Sequence, residues 1–188
     1  MNNFAIFENI ISKTHQDYIE NLFFSSNFPW YYNQDPTFAN QKSDRGTTFS
    51  SSLLNENYKS EFVDILLPIA FSCFDKMNIK KESNIFNIRS FLHIKNEIDL
   101  LNRKDSLHVD NNFNHLVILY YVNDSDGNTE ITNRIFNEST KESEKSEKIL
   151  KSISPKKGRC VVFDGKYYHR STHPQYSDRC VVNFNLTL

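Results

Sequence analysis

Glycine and cysteine are scarce in this chain, and neither sign of charge prevails. Four glycines and three cysteines occur in 188 residues. Cys73, Cys160 and Cys180 lack metal-ligand spacing, and their odd number argues against a disulfide framework. Buried reduced thiols are expected, with Cys160–Cys180 as the one bridge that neighbouring strands would permit. Lys and Arg total 22 against 23 Asp and Glu, a formal net charge of -1. Without a global field to attract a polyanion, a nucleic-acid or anionic-membrane partner is disfavoured. The longest apolar run, Leu116 to Val122, is far too short to span a bilayer. The opening Met-Asn-Asn-Phe-Ala-Ile-Phe-Glu-Asn lacks the basic start, apolar core and cleavage site of a signal peptide. A soluble, cytoplasmic protein is expected. No His-Glu-x-x-His, no Gly-rich phosphate loop and no nucleophile with a base and orienting acid occurs.

What is present fits one domain with a real core. Residues 13–25 carry Tyr18, Ile19, Leu22 and Phe23 at helical spacing, and 58–77 carry Phe62, Ile65, Leu66, Ile69, Ala70 and Phe74 on one stripe. Pro68 predicts a kink or a break in the second helix. Between them Phe28-Pro29-Trp30-Tyr31-Tyr32 and a polar stretch to Ser52 read as an aromatic loop. From about residue 84 the periodicity changes to short strands: 85–94, 115–122, 158–164 and 179–188, with a turn at 124–128. Residues 137–152, mostly Glu, Lys and Ser, read as a solvated insert. The expected fold is mainly β with N-terminal helices, one domain over 1–188: a helical part with the aromatic loop over 1–83, then a sandwich or barrel over 84–188.

One set of residues carries chemistry. His108-Val109-Asp110 is followed 59 residues later by His169, and ten residues after that by Arg179. In a strand, positions i and i+2 share a face, so His108 and Asp110 can reach one ion. Two imidazoles and one carboxylate suit non-haem Fe(II) with open positions. Arg179 offers a fixed fork for a carboxylate. His173 competes with His169 as third ligand, while His15, His93 and His115 have no ligand-like partners and are expected to be structural or at the surface.

The ordered set His108-Val-Asp110, Leu119-Tyr-Tyr-Val-Asn123, Asp126-Gly-Asn-Thr-Glu130, Pro155 to Phe163, His169 and Arg179 to Leu186 resembles the 2-oxoglutarate/Fe(II) dioxygenases, in their prolyl-4-hydroxylase-like branch. The likeness covers about residues 84–188, and Phe28-Pro-Trp-Tyr-Tyr32 resembles a segment of small bacterial and viral members. It implies a double-stranded β-helix (jelly-roll, cupin-like) core buttressed by helices. It also implies Fe(II) held by His108, Asp110 and His169, with 2-oxoglutarate and O2 as co-substrates and ascorbate as accessory reductant. Arg179 would pair with the distal carboxylate of 2-oxoglutarate, assisted by Tyr121. The six-residue gap from His173 to Arg179 fits the branch less well than that from His169. Halogenating relatives replace the ligand carboxylate, so Asp110 favours a hydroxylase that releases succinate and CO2. The sequence departs from its relatives at Arg89 to Glu97, where a Tyr and Gly-rich turn is usual, and at Gly127-Asn128, where Gly-Gly is.

A prolyl residue of a protein is the substrate that the branch implies, with small molecules also open. Trp30, Tyr31 and Tyr32, with Asn183 and Asn185 on the inward face of the last strand, are candidates for contacts to substrate, Asn183 also to the co-substrate. The alternative is a β-helix module that binds a metal or a small acid and turns nothing over. No oligomeric state is implied.

Overall fold

A computed structural model describes residues 4–32, 48–79, 83–95, 104–137 and 147–187. In chain order the first elements are β1 (Phe4–Phe7), α1 (Lys13–Phe23), β2 (Tyr31–Tyr32), β3 (Thr48–Asn55), β4 (Tyr58–Lys59) and α2 (Val63–Met77). Then follow β5 (Asn84–His93), β6 (Leu116–Tyr121), β7 (Thr129–Ile135), β8 (Ile149–Ile153), β9 (Cys160–Asp164), β10 (Tyr167–Ser171) and β11 (Arg179–Thr187). The large sheet runs β1-β9-β6-β11-β5-β3-β2, with β4 beside β3, and a smaller sheet runs β10-β7-β8. All pairings are antiparallel. The jelly-roll architecture expected from the sequence is present.

Strand alternation divides the side chains between two cores. On β6 and β11, Leu116, Ile118, Tyr120, Val182, Phe184 and Leu186 pack toward Ile19, Phe23, Leu66 and Ile69 of the helices. Their neighbours Val117, Leu119, Tyr121 and Val181 face the other way, against Ile131 and Ile153 of the small sheet. Both faces of β6 are therefore buried, which is why it reads as an unbroken apolar run. Helix α1 begins at Ser12, whose side chain accepts a hydrogen bond from the His15 amide. Helix α2 runs through Pro68 as one element and ends at Asn78 in a left-handed conformation, φ 53°.

Several sequence expectations need correction. The second helix starts at Val63; Tyr58–Lys59 is a strand that pairs with Leu54 and Asn55. The N-terminal stretch also contributes β1 and β3 to the large sheet. The charged insert ends in strand β8, paired with β7, while its residues 138–146 and residues 33–47 of the aromatic loop lie outside the described residues. His169, which follows the strand expected over 158–164, lies within a further strand, β10. The cysteines are free and buried, but the close pair is Cys73–Cys160, with sulfurs 3.3 Å apart, and not Cys160–Cys180. No helix among the described residues is long and apolar enough to cross a membrane.

Phe23 is fully buried where α1 meets the sheet, whereas Tyr18 on the same helix is half exposed. Urea unfolding should show Phe23→Ala losing about 3–5 kcal/mol and Tyr18→Ala changing by less than about 0.5 kcal/mol.

Candidate metal centre

The segment 104–110 runs antiparallel to β10. Lys104 bridges Thr172, the Asp105 amide donates to Ser171 O at 2.9 Å, and His108 and His169 exchange both backbone bonds, at 3.1 and 2.9 Å. That last pairing sets two imidazoles side by side, their ring centroids 4.6 Å apart. Each ring is oriented from behind: His108 Nδ1 meets Ser106 O at 3.0 Å and His169 Nδ1 meets Tyr167 O at 3.1 Å. A backbone carbonyl accepts only from Nδ1–H, which leaves both Nε2 atoms as lone-pair donors. They lie 3.8 and 3.7 Å from the same oxygen, Asp110 Oδ1. Asp110 Oδ2 accepts from Asn183 Nδ2 at 2.8 Å, so the carboxylate is turned with one oxygen anchored and the other offered. The three ligand-type atoms all lie within 4.8 Å of one another, as a metal would require.

Electrostatics hold these groups in ligand-ready states. Burial alone would raise the Asp110 pKa. His169, His108, Arg89 and the Asn183 hydrogen bond outweigh it and hold the carboxyl well below the usual range. Burial pushes His169 down to about 4, helped by His108 and opposed by Asp110.

A cavity of about 320 Å³ extends from the triad between the two sheets. Its far end is polar. Arg179 Nη2 donates to Thr129 Oγ1 at 2.9 Å, and Tyr121 Oη donates to the same oxygen at 2.7 Å. Arg179 Nη1 approaches His93 Nδ1 at 3.4 Å, His93 Nε2 lies 3.4 Å from Asp105 Oδ2, and Ser171 Oγ donates to that oxygen. Burial lowers the His93 pKa against the pull of Asp105, and a neutral ring can accept from the guanidinium and donate to the carboxylate. Arg179 Nε is buried without a partner. Gly127 is needed beside this arginine: a Cβ there would lie 2.9 Å from Arg179 Cδ.

Solved structures with the same architecture are known. An oxidoreductase of the 2OG-Fe(II) oxygenase family from Burkholderia pseudomallei superposes with a TM-score of 0.69 at 12% identity, covering 98% of this chain and 85% of the other. A prolyl hydroxylase from Trichoplax adhaerens, in complex with a hypoxia-inducible-factor peptide fragment, gives 0.63 at 16% identity, with 99% and 84% covered. The non-haem α-ketoglutarate-dependent epimerase SnoN of nogalamycin biosynthesis gives 0.69 at 10% identity, with 98% and 78% covered. The fold is that of the 2-oxoglutarate/Fe(II) oxygenases. No family model matches the chain, and no curated protein matches its sequence.

Within this oxygenase fold, His108, Asp110 and His169 converge and Arg179 lines the same cavity. Tyr121 does not line it; its hydroxyl acts one step back, through Thr129. Asn183 lines the cavity beside Asp110, whereas Asn185 is fully buried and is not among the cavity residues. Trp30 packs on Phe23 and Phe28 and donates Nε1–H to Phe23 O at 2.9 Å, sealing helix against sheet. Tyr31 and Tyr32 are exposed on edge strand β2, away from the cavity lining. His173 turns toward Asp105, Nε2 to Oδ1 3.3 Å without hydrogen-bond alignment. His15 and His115 bond backbone carbonyls, as structural residues do. His93, expected to be structural or at the surface, lines the cavity, and Arg89, Asp105, Thr129 and Ser171, given no role by the sequence, line it too. The alternation Arg89, Phe91, His93 ahead of the His-x-Asp pair was the available signal.

Metal-free protein should lose stability on acidification in two windows. His169 is neutral when folded down to about 4 but takes a proton near 6.5 when unfolded, so the unfolded chain gains protons first as pH falls. Between about 6.5 and 4 stability should drop by up to about 3 kcal/mol, with His93 adding in the same direction. Asp110 and Asp105, both depressed, lose their contribution only below the ordinary carboxylate range. Urea midpoints in His169→Gln that keep the full drop between pH 6.5 and 4 would contradict this assignment.

Proposed function

We propose that the protein is an Fe(II)- and 2-oxoglutarate-dependent oxygenase that hydroxylates its substrate and releases succinate and CO2. The observation that carries this reading is the convergence of His108 Nε2, His169 Nε2 and Asp110 Oδ1, with each imidazole's other nitrogen fixed to a carbonyl. Such a donor set fits Fe(II), and nothing in it demands a metal of another class. Bound there, iron supplies the redox chemistry that activates O2.

The remaining work falls to the chain. Arg179 and Thr129 receive the distal carboxylate of 2-oxoglutarate. Thr129 Oγ1 already accepts from both Tyr121 and Arg179, so its own hydroxyl hydrogen is left to donate into the cavity. Asp105, through neutral His93, balances the buried guanidinium without occupying its cavity-facing donors. Val117, Leu119, Phe163 and Val181 line the space between and keep water from the reacting centre. Asn183 fixes which Asp110 oxygen faces the imidazoles. The substrate is a group on a protein or a small molecule; the near-neutral surface of the chain gives nucleic acid no general attraction.

Purified protein with Fe(II), ascorbate and 2-oxoglutarate should release succinate, slowly without substrate and faster with it. Binding of iron and 2-oxoglutarate with no succinate across a broad substrate panel would instead identify a non-catalytic binding module. Asp110→Ala should weaken iron binding by at least about 100-fold, and unchanged metal content would show the site misassigned. Arg179→Ala should raise the 2-oxoglutarate Kd by roughly 10–100-fold, the loss of one charged hydrogen-bonding group, with iron still bound.

A further inference from the structure

We propose that the molecule oxidised at this site carries an anionic group, a carboxylate or a phosphate, and that Arg89 receives it. This rests on the Fe(II)/2-oxoglutarate reading and names the substrate chemistry within it.

Three observations converge on Arg89. The first is its place. On β5 it stands directly opposite Asn183 of β11, the residue that anchors Asp110, whereas Arg179 stands opposite His93. Four residues of extended strand, about 13 Å, separate the two rungs. Arg89 is thus at the metal end of the cavity, well removed from the cation that takes the co-substrate's distal carboxylate. The second is its lack of partners. Arg89 Nε is buried and unpartnered, and its head group makes only a long ion pair, Nη2 to Asp110 Oδ1 at 3.7 Å. Two other described arginines are ion-paired at 3.0 Å or less: Arg170 with Glu130 and Glu147, and Arg159 with Glu8. The third is competition. Asp110 Oδ1 is also the oxygen facing both imidazoles. A divalent ion bound there would share its charge, weakening an already long pairing and leaving the guanidinium's donors to the cavity.

The guanidinium is also held ready. It lies 5.5 Å from the centre of the Phe91 ring, and the side chain, 29% exposed, lines the cavity. A planar fork on an aromatic face, with its donors unused, matches a carboxylate or phosphate in bidentate fashion. An incoming neutral substrate would leave that charge unanswered as it excluded water, and an anionic one answers it.

Protein loaded with Zn(II) in place of iron and saturated with 2-oxoglutarate, whose binding is measured first, is titrated with short-chain carboxylic acids and phosphate monoesters. The matched neutral amides and alcohols are titrated in parallel, and binding is read by ligand-observed NMR. Wild type should bind at least one anionic series about tenfold or more tightly than its neutral match, and whichever series does so identifies carboxylate or phosphate. Arg89→Gln should lose that preference and Arg89→Lys should keep part of it. Equal binding of acids and neutral matches by wild type, or an undiminished preference in Arg89→Gln, overturns the proposal. The wild-type comparison stands even if a variant fails to fold. Failure to bind Zn(II) or 2-oxoglutarate overturns the underlying reading and this one with it, and the first measurement tells the two failures apart.

Discussion

The antiparallel ladder between β5 and β11 is the constraint on which the rest of the site depends. It pairs Arg179 with His93, Val181 with Phe91 and Asn183 with Arg89. Because side chains alternate with a period of two, these six positions face the cavity while Cys180, Val182 and Phe184 face the helices. A slip of β11 by one residue would turn Arg179 and Asn183 into the apolar core and expose Cys180, Val182 and Phe184 to the cavity. The helix-side core therefore protects the site's register. Ile19, Phe23, Leu66 and Ile69 bury the alternate positions of the central strands, and that burial penalises any other pairing.

Given that register, the two ends of the cavity acquire different tasks. One rung places Arg179 beside Thr129 and, through His93, beside Asp105. Two rungs away, Asn183 reaches the carboxylate of a segment that is itself pinned to β10 by the His108–His169 bridge. The metal candidates thus come from two attachments, one to each sheet, and the cavity lies between the sheets because the donors do. Buried charge is costly unless paired, and here the pairing is deliberately incomplete. Arg179 Nε, Arg89 Nε and Asn183 Oδ1 remain without hydrogen-bond partners, and Asp105 Oδ1 has only a misaligned His173 Nε2 at 3.3 Å. Four such atoms around one cavity are what a site that gives up stability for binding would leave, although Tyr120, His115 and Asn185, which do not line it, also carry unpartnered atoms.

How much of this could be read from the sequence followed from where the specifying interactions lie. His108, Asp110, His169 and Arg179 were legible because their types and order carry the chemistry. The apolar runs of β6, β9 and β11 were legible because double-sided burial imposes β-branched and aromatic residues on them. Strand β3, Thr-Phe-Ser-Ser-Ser-Leu-Leu-Asn, reads as polar loop, yet it is held by pairing with β5, a tertiary effect that overrides local propensity. Strand β8 is almost wholly exposed, so its sequence shows little apolar alternation and blends into the charged insert. The cavity roles of Arg89 and His93 were not legible because their cross-strand partners are 94 and 86 residues away, at Asn183 and Arg179. A lone cation in a strand has no meaning until the opposite rung is known.

The spacing of the two arginines also explains why the cavity can serve two anions at once. A guanidinium excluded from water needs an opposing charge, and two bound anions repel one another at close range in a medium of low dielectric. Two rungs of strand, about 13 Å, hold the co-substrate's distal carboxylate apart from an anion at Arg89, each within reach of its own cation. The residues between the rungs, Phe91 and Val181, are apolar and offer no competing donor. A dicarboxylate that places one end at Arg179 and its other end at the triad would leave Arg89 as the remaining unanswered charge. Strand register, chosen by the apolar core on the far side of the sheet, thereby fixes where the two cations stand along the cavity.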